Sequence, residues 1–508
     1  VGTLDWVVIG IFFLALIGII VWVVKQKQND SADYFLGGRD ATWLAIGASI
    51  FASNIGSEHL IGLAGAGASS GMAMAHWEIQ GWMILILGWV FVPFYSRSMV
   101  FTMPEFLERR YNPQSRTILS VISLISYVLT KVAVTVYAGG LVFQQVFGIK
   151  ELWGIDFFWI AAIGLVILTA LYTIFGGMKS VLYTSILQTP ILLLGSLIIL
   201  VLGFKELGGW DEMMRICGAV TVNDYGNTMT ELIRSNNDPN FPWLGALIGS
   251  AIIGFWYWCT DQFIVQRVLS GKNEKEARRG TIFGAYLKLL PVFLFLIPGM
   301  IAFALHQKYL GTGGEGFLPM LANGNANADA AFPTLVAKLL PAGVKGLVVC
   351  GILAALMSSL ASLFNSSAML FTIDFYKRFK PNTSEKKLVG IGQMATVAIV
   401  ILGILWIPIM RSVGDVLYTY LQDVQSVLAP GIAAAFLLGI CWKRTSAQGG
   451  MWGLIAGMII GLTRLGAKVY YSNVGDMSSS TFKYLFYDMN WLFFCGYRSQ
   501  HVYSCPKR

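Results

Sequence analysis

Charge is what this chain has least of. Asp, Glu, Lys and Arg make up 12% of 508 residues, against roughly 25% in soluble domains. With 56% hydrophobic residues, that scarcity excludes an ordinary soluble globule and implies a polytopic membrane protein. Cysteine is also sparse. The six (Cys217, Cys259, Cys350, Cys441, Cys495, Cys505) have neither metal nor disulfide spacing, which excludes a zinc module and a disulfide scaffold. Cys259, Cys350 and Cys441 lie in or at the edge of apolar spans, where cysteine acts as a small hydrophobe. No nucleophile–base pair or metal cluster is visible, which argues against an enzyme. A cleavable leader is not expected, because the first apolar run is too long and lacks a small-residue cleavage site. The net charge of +9 invites a nucleic-acid partner. The positive residues, however, are scattered between apolar spans, so the expected partner is the lipid bilayer and not nucleic acid.

A membrane-crossing helix needs about 20 apolar residues. The chain offers twelve such stretches, near 5–24, 41–74, 77–96, 117–146, 157–175, 181–203, 242–265, 282–304, 345–373, 388–409, 416–441 and 449–466. A thirteenth begins after Tyr484 and breaks off at Tyr497 into a polar tail. Alternate loops collect the positive residues: Lys25, Lys27 and Arg39; Arg97, Arg109, Arg110 and Arg116; Lys179. The same side continues with Arg267, Lys272, Lys275, Arg278 and Arg279, then the 377–387 loop, then Lys443 and Arg444. The rich side is expected to be cytoplasmic. The N-terminus is then outside, and the long loops 204–241 and 305–344 face outward. The Asn-x-Ser/Thr sites at Asn29, Asn365 and Asn382 fall in cytoplasmic loops or inside a span, so a bacterial origin is compatible. The expected location is the plasma membrane, or the inner membrane of a bacterium.

Helix count suggests the organisation. Residues 1–40 form an extra helix and a loop. The next ten helices divide into five and five, 41–203 and 242–441, separated by the outer loop 204–241. Residues 442–508 hold the C-terminal helices and the tail. An odd number of helices per half turns the second half upside down. That is the arrangement of inverted-repeat transporters, in which the first helix of each half is broken and the site lies at mid-depth.

The most unusual stretch is Ala52 to Glu78. It carries Ser53, Asn54, Ser57, Glu58, His59 and Glu78 among Gly56, Gly62, Gly65 and Gly67. At membrane depth a backbone unwinds only where protein or a watery cavity surrounds it. His59 and Glu58 lie too far from either end of the segment to snorkel, so they point inward and mark a path for a solute or ion. The first helix of the second half has Gly245, Gly249 and Gly254, then Thr260, Asp261 and Gln262 beside Tyr257 and Trp258. It is either a broken helix of the same kind or a packing helix with a polar end. Ala355, Ser358, Ser359 and Ser362 share one helical face. Those hydroxyls either bond their own backbone or meet carbonyls freed by an unwound Ala52–Ile55. A cage of neutral oxygens of that kind suits Na+. Lys288 borders a long apolar run, where a lysine must pair or lose its charge. Gln422, Asp423 and Gln425 interrupt another span or cap its outer end. Lys131 has no assignment at this stage.

Several segments resemble one known family: SNIGSEHLIGLAGAGASSG, TMPEFLERRY, YTIFGGMKSVLYTSILQT, FWYWCTDQFIVQR, GAYLKLLPVF and LMSSLASLFNSSAMLFTIDFY. They are similar to the sodium/glucose cotransporters of the sodium:solute symporter family, from about Asp33 to about Leu462. The resemblance implies an all-α leucine-transporter-type fold, a 5+5 inverted repeat with peripheral helices. It also implies Na+-coupled symport of a hexose such as glucose or galactose by alternating access. The sodium site it implies uses the carbonyls of Ala52, Ile55 and Ala355 and the hydroxyls of Ser358 and Ser359. The implied sugar site is Asn54, His59, Glu78, Tyr257, Trp258, Lys288 and Gln422, with Tyr257 also the inner gate. Past Trp491 the chain no longer looks like the family.

Members that move two ions resemble one another in a second site, with a Tyr-Thr-Asp segment and a hydroxyl three residues after the first serine of the pair. This chain has Tyr183-Thr184-Ser185 and Ala361 there, which gives an expectation of one Na+ per sugar. The alternatives are another polyol such as inositol, an organic acid, or a sugar-gated sensor. An acid would need a buried arginine, and the sequence suggests none in a core span.

Overall fold

The computed structural model describes residues 2–474, apart from 27–29, 57, 223–225, 239–240, 322–323 and 414–416. For 129, 409–413, 417–424, 426 and 464–474 it describes only the backbone. The segment expected to begin a thirteenth helix, Asn29 and Ser57 lie outside the described residues.

Sixteen helical elements matter here. They are α1 (Thr3–Val24), α2 (Trp43–Asn54), α3 (Ala64–Ser70), α4 (76–98), α5 (Met103–Arg110), α6 (Pro113–Phe147), α7 (Phe157–Leu207) and α8 (Trp210–Gly218). The second group is α9 (Trp243–Thr260), α10 (Gln262–Leu269), α11 (Glu274–Gly311), α12 (Ala331–Leu339), α13 (Val344–Phe379), α14 (Glu385–Val413), α15 (Leu417–Cys441) and α16 (Ala447–Val474). Among the described residues, 8 helical runs are long and apolar enough to cross a membrane.

The core is built round α13, whose residues from Val348 to Leu370 are nearly all buried. Its chief partner is α7, which at 51 residues is two spans joined by a bend. The sequence suggests two helices, 157–175 and 181–203. The structure joins them through Gly177, whose φ of 53° is favoured only by glycine. A β-carbon there would also lie 2.4 Å from the Tyr34 carbonyl oxygen. The start of α13 is capped from α1: the Asp5 carboxylate accepts from the amides of Gly343 at 2.6 Å and Gly346 at 2.7 Å.

Small residues bring the helices round the site into close contact. A β-carbon on Gly280 of α11 would lie 2.6 Å from the Ile46 β-carbon of α2. One on Gly299 would lie 1.9 Å from the Ala64 carbonyl oxygen of α3. The long stretch 41–74, expected as one helix, is two. Helix α2 stays helical through Ala52 and Ser53 and ends at Asn54; Ile55 then turns extended, with ψ 102°. The unwinding is therefore shorter than the expected Ala52–Ile55. The chain re-enters a helix through a wide turn at Glu58–Leu63. A second break divides 242–265. Phe255–Thr260 is a wide turn, Asp261 is extended with ψ 127°, and α10 follows.

The loop before α9 folds back on the end of α3. The Met72 amide donates to the Met229 carbonyl at 2.8 Å. Arg234, paired with Asp238 at 3.4 Å, donates to the Ser70 carbonyl.

Candidate functional site

The break after Asn54 leaves carbonyl groups without helical partners. At membrane depth other parts of the protein must satisfy them, and α13 does so. The Ser359 hydroxyl donates to the Ser53 carbonyl at 2.8 Å and reaches the Ile55 carbonyl at 3.4 Å. Gly56 makes room for it, since a β-carbon there would lie 2.9 Å from Ser359 Oγ. Ser358 Oγ lies 3.4 Å from Ser185 Oγ of α7, and the Ser53 and Ser362 hydroxyls are 2.8 Å apart. Ala52 and Ala355 are fully buried on the same two packed helices. The break thus gathers hydroxyl and carbonyl oxygens with no carboxylate among them, a donor set that fits a monovalent hard cation.

Asn54, between Ser53 and Ile55, faces the other way. Its amide donates to the Tyr257 hydroxyl at 3.0 Å, and its carbonyl oxygen accepts from the Lys288 ammonium. Lys288 Nζ is also 2.9 Å from His59 Nε2 and 2.6 Å from Glu78 Oε2. His59 Nε2 is 3.2 Å from Glu78 Oε1. Trp258 lies beside this ring, with Lys288 Nζ 5.5 Å from its ring centroid and the Tyr257 ring at 88° to it. All six of these side chains are buried. They line a cavity of about 30 Å³, enough for a water or two.

Chemically the chamber is a closed ring of donors and acceptors. Glu78 is the countercharge of Lys288, and Glu58 adds a second carboxylate to the lining. Polyol hydroxyls can replace these hydrogen bonds one for one, with no ion carried in. Of the residues implied by the resemblance, Gln422 lies outside those whose side chains are described. Gln425, three residues on, is buried and lines the chamber, as do Glu58, Trp77, Gln80 and Ile253. Trp77 and Gln80 are three residues apart, on either side of Glu78, but α4 mixes three kinds of helical turn, which blurs the face.

Lys131 has a partner that the sequence did not reveal. Its ammonium is 2.8 Å from Asp261 Oδ2, and the Tyr127 hydroxyl donates to Oδ1. Asp261 also caps α10, accepting from the Phe263 amide at 3.1 Å. The polar cluster Thr260–Gln262 is therefore a helix break held by a buried ion pair. The expectation of no buried arginine is wrong. Arg267, placed by sequence in a basic loop, is 1% exposed. The reason is that α10 runs on from the break between α2 and α13 instead of leaving the bundle. It does not line the chamber.

Two broken helices, meeting where a neutral oxygen set adjoins a hydrogen-bonding chamber, define a transporter of the leucine-transporter fold. The solved structures agree on the fold. A Na+-coupled sialic acid symporter, captured substrate-bound and outward-open, superposes with a TM-score of 0.75, covering 95% of this chain and 97% of its own at 22% identity. MhsT in complex with L-phenylalanine gives 0.55, over 83% and 96%, at 14% identity. The sodium:solute symporter family model matches residues 34–457, and the chain belongs to that family. It is 39% identical to human sodium/myo-inositol cotransporter 2 over 475 residues, 91% of this chain and 69% of that one. It is 38% identical to mouse sodium/glucose cotransporter 4 over 484 residues, 92% of this chain and 70% of the relative. The protein is a Na+-coupled solute symporter and not an enzyme. It is a multi-pass membrane protein.

Proposed function

We propose that this symporter moves a neutral hexose, glucose or galactose, held by Asn54, His59, Glu78, Tyr257, Trp258, Lys288 and Gln422, with one Na+ at Ala52, Ile55, Ala355, Ser358 and Ser359. One observation carries the reading. Three consecutive residues serve both groups: the carbonyls of Ser53 and Ile55 turn to Ser359, while the Asn54 side chain enters the chamber. An ion that fixes the break also fixes Asn54. Because Lys288 is neutralised by Glu78 and Arg267 lies outside the chamber, an acid substrate is disfavoured. Myo-inositol is the second reading, favoured by the similarity to the myo-inositol cotransporter.

The test is uptake of labelled glucose, galactose and myo-inositol into proteoliposomes, with and without a Na+ gradient. Concentrative uptake of one of them, only with Na+, supports symport. Binding without concentrative uptake would instead mean a sensor. The same vesicles give the coupling ratio. Ser185 offers only a hydroxyl, already donated to the Val181 carbonyl at 2.6 Å, and Ala361 offers none. A second cation there lacks a countercharge, and burying one is costly. The expected reversal potentials fit one Na+ per solute; a ratio near two, with a Hill coefficient clearly above one, contradicts the reading.

The loop-charge pattern supports an N-terminus outside, and the helix count supports inverted repeats over 41–203 and 242–441. Cys441 is exposed at the basic-loop end of α15. Cys259 and Cys350 are buried, and burial pushes the Cys217 thiol up to about 12. In a background with Cys495 and Cys505 changed to serine, a membrane-impermeant maleimide is expected to label Cys441 only from the cytoplasmic face. Labelling from outside in intact cells reverses the orientation.

A further inference from the structure

Arg267 is among the largest side chains wholly inside the protein, and the transport reading gives it no task. Its Nε donates to the hydroxyls of Ser49 and Ser53, each at 3.1 Å. Its Nη1 and Nη2 are buried with no hydrogen-bond partner, and among the described residues it makes no ion pair. A buried cation with idle donors is costly, and such groups persist inside membranes chiefly where they serve a pathway.

Its position says which pathway. The guanidinium carbon lies 5.0 Å from the centroid of the Phe263 ring, and that ring lies 6.3 Å from the Tyr257 ring that floors the chamber. Ser53, which it holds, is adjacent to Asn54. Arg267 therefore sits one layer beyond Tyr257, toward the loop that carries Lys272 and Lys275. The neighbouring seam is polar. Ser53 meets Ser362, Ser366 donates to Gln266, and Asn365 Oδ1 is unpartnered.

We propose that Nη1 and Nη2 form a second, transient site that takes two adjacent hydroxyls of the polyol once Tyr257 has moved aside. The inference rests on the polyol reading given above. Two coplanar N–H groups at fixed spacing match a pair of vicinal oxygens, and a lysine in their place offers only a point charge. A purely structural role for Arg267, holding Ser49 and Ser53, needs Nε alone. The neutral diol is held less strongly than an anion, which suits a stage on an exit path.

The test compares wild type with Arg267→Lys in proteoliposomes. The readouts are equilibrium polyol binding, Na+ half-saturation and the rate of labelled-polyol counterflow. The expected result is binding and Na+ half-saturation within about twofold of wild type, because the lysine ammonium can still donate to Ser49 or Ser53, and counterflow slowed at least tenfold, because the bidentate contact is lost. If Arg267→Lys fails to fold, a panel of single-deoxy analogues on the wild type carries the test. At least one analogue should then keep its affinity and lose exchange rate. Unchanged counterflow in the lysine variant overturns the proposal. So does a rate loss matched by a rise in Na+ half-saturation, which assigns Arg267 to the placement of Ser53. So does a deoxy panel whose rates simply follow affinity. A wild type that binds no polyol at all, while still transporting another solute with Na+, removes the polyol reading and this inference together.

Discussion

Replacing Na+ with choline should abolish concentrative uptake, and Ser359→Ala should raise the Na+ concentration for half-maximal uptake about 5- to 150-fold. The range follows from the geometry. Ser359 is the hydroxyl that reaches both the Ser53 and Ile55 carbonyls across the break. Removing it takes one oxygen from the ion and leaves the ion under-coordinated. Loss of a partner to buried polar groups costs on the order of 1–3 kcal/mol, which is the stated factor. Because the break also positions Asn54, the apparent polyol affinity should fall with it at sub-saturating Na+ and recover at high Na+. Ser362→Ala is the control: its hydroxyl donates to the Ser358 carbonyl of its own helix at 2.7 Å, and its effect should be smaller. The measurement is initial uptake rate against Na+ concentration. Equal uptake in Na+ and choline would sink the assignment.

The second large effect concerns Lys288. Lys288→Ala leaves Glu78 in the chamber with His59 as its only close basic neighbour among the described residues. Breaking a buried pair by removing one partner typically costs 3–5 kcal/mol, a large fraction of a protein's net stability. The variant should accumulate poorly and unfold at markedly lower temperature. Glu78→Ala should do the same by stranding the ammonium. The double variant Lys288→Ala/Glu78→Ala should recover much of the lost stability, because no uncompensated charge remains. It should still bind no polyol, having lost most of the ring. The measurement is thermal unfolding of detergent-purified protein together with polyol binding. Additive destabilisation in the double variant contradicts the pairing.

Which parts of this were legible in the sequence follows from the physics of each part. Long apolar runs are the strongest signal a chain carries, so the spanning helices and the polar interruption at 52–78 were visible. The pattern of glycine and polar residues there announced a break, though not its extent: α2 continues to Asn54, and Ser359 meets the Ser53 and Ile55 carbonyls on either side of that residue. Lys288 announced itself as needing a partner, but nothing local named Glu78, 210 positions away and on another helix. The same holds for Lys131 and Asp261. Arg267 was misread because its neighbours in sequence are loop residues, whereas its surroundings are set by the direction α10 takes after Asp261. Charge pairing across a bundle is a tertiary property, and periodicity does not encode it. Gln425 was within view beside Gln422, but helical spacing alone does not say that its side chain reaches the chamber.

On the proposed reading, ion and solute share residues 53–55 and therefore bind together. Linkage makes that measurable: whatever factor Na+ applies to polyol affinity, the polyol must apply to Na+ affinity. The most direct measurement is calorimetric titration of purified protein with its best substrate among glucose, galactose and myo-inositol, at saturating Na+ and in choline, with the reciprocal Na+ titration alongside. Polyol binding is expected to be at least tenfold tighter in Na+, about 1.4 kcal/mol of coupling, with the same factor on Na+ affinity and loss of that coupling in Ser359→Ala. Equal polyol affinity in Na+ and choline would contradict it.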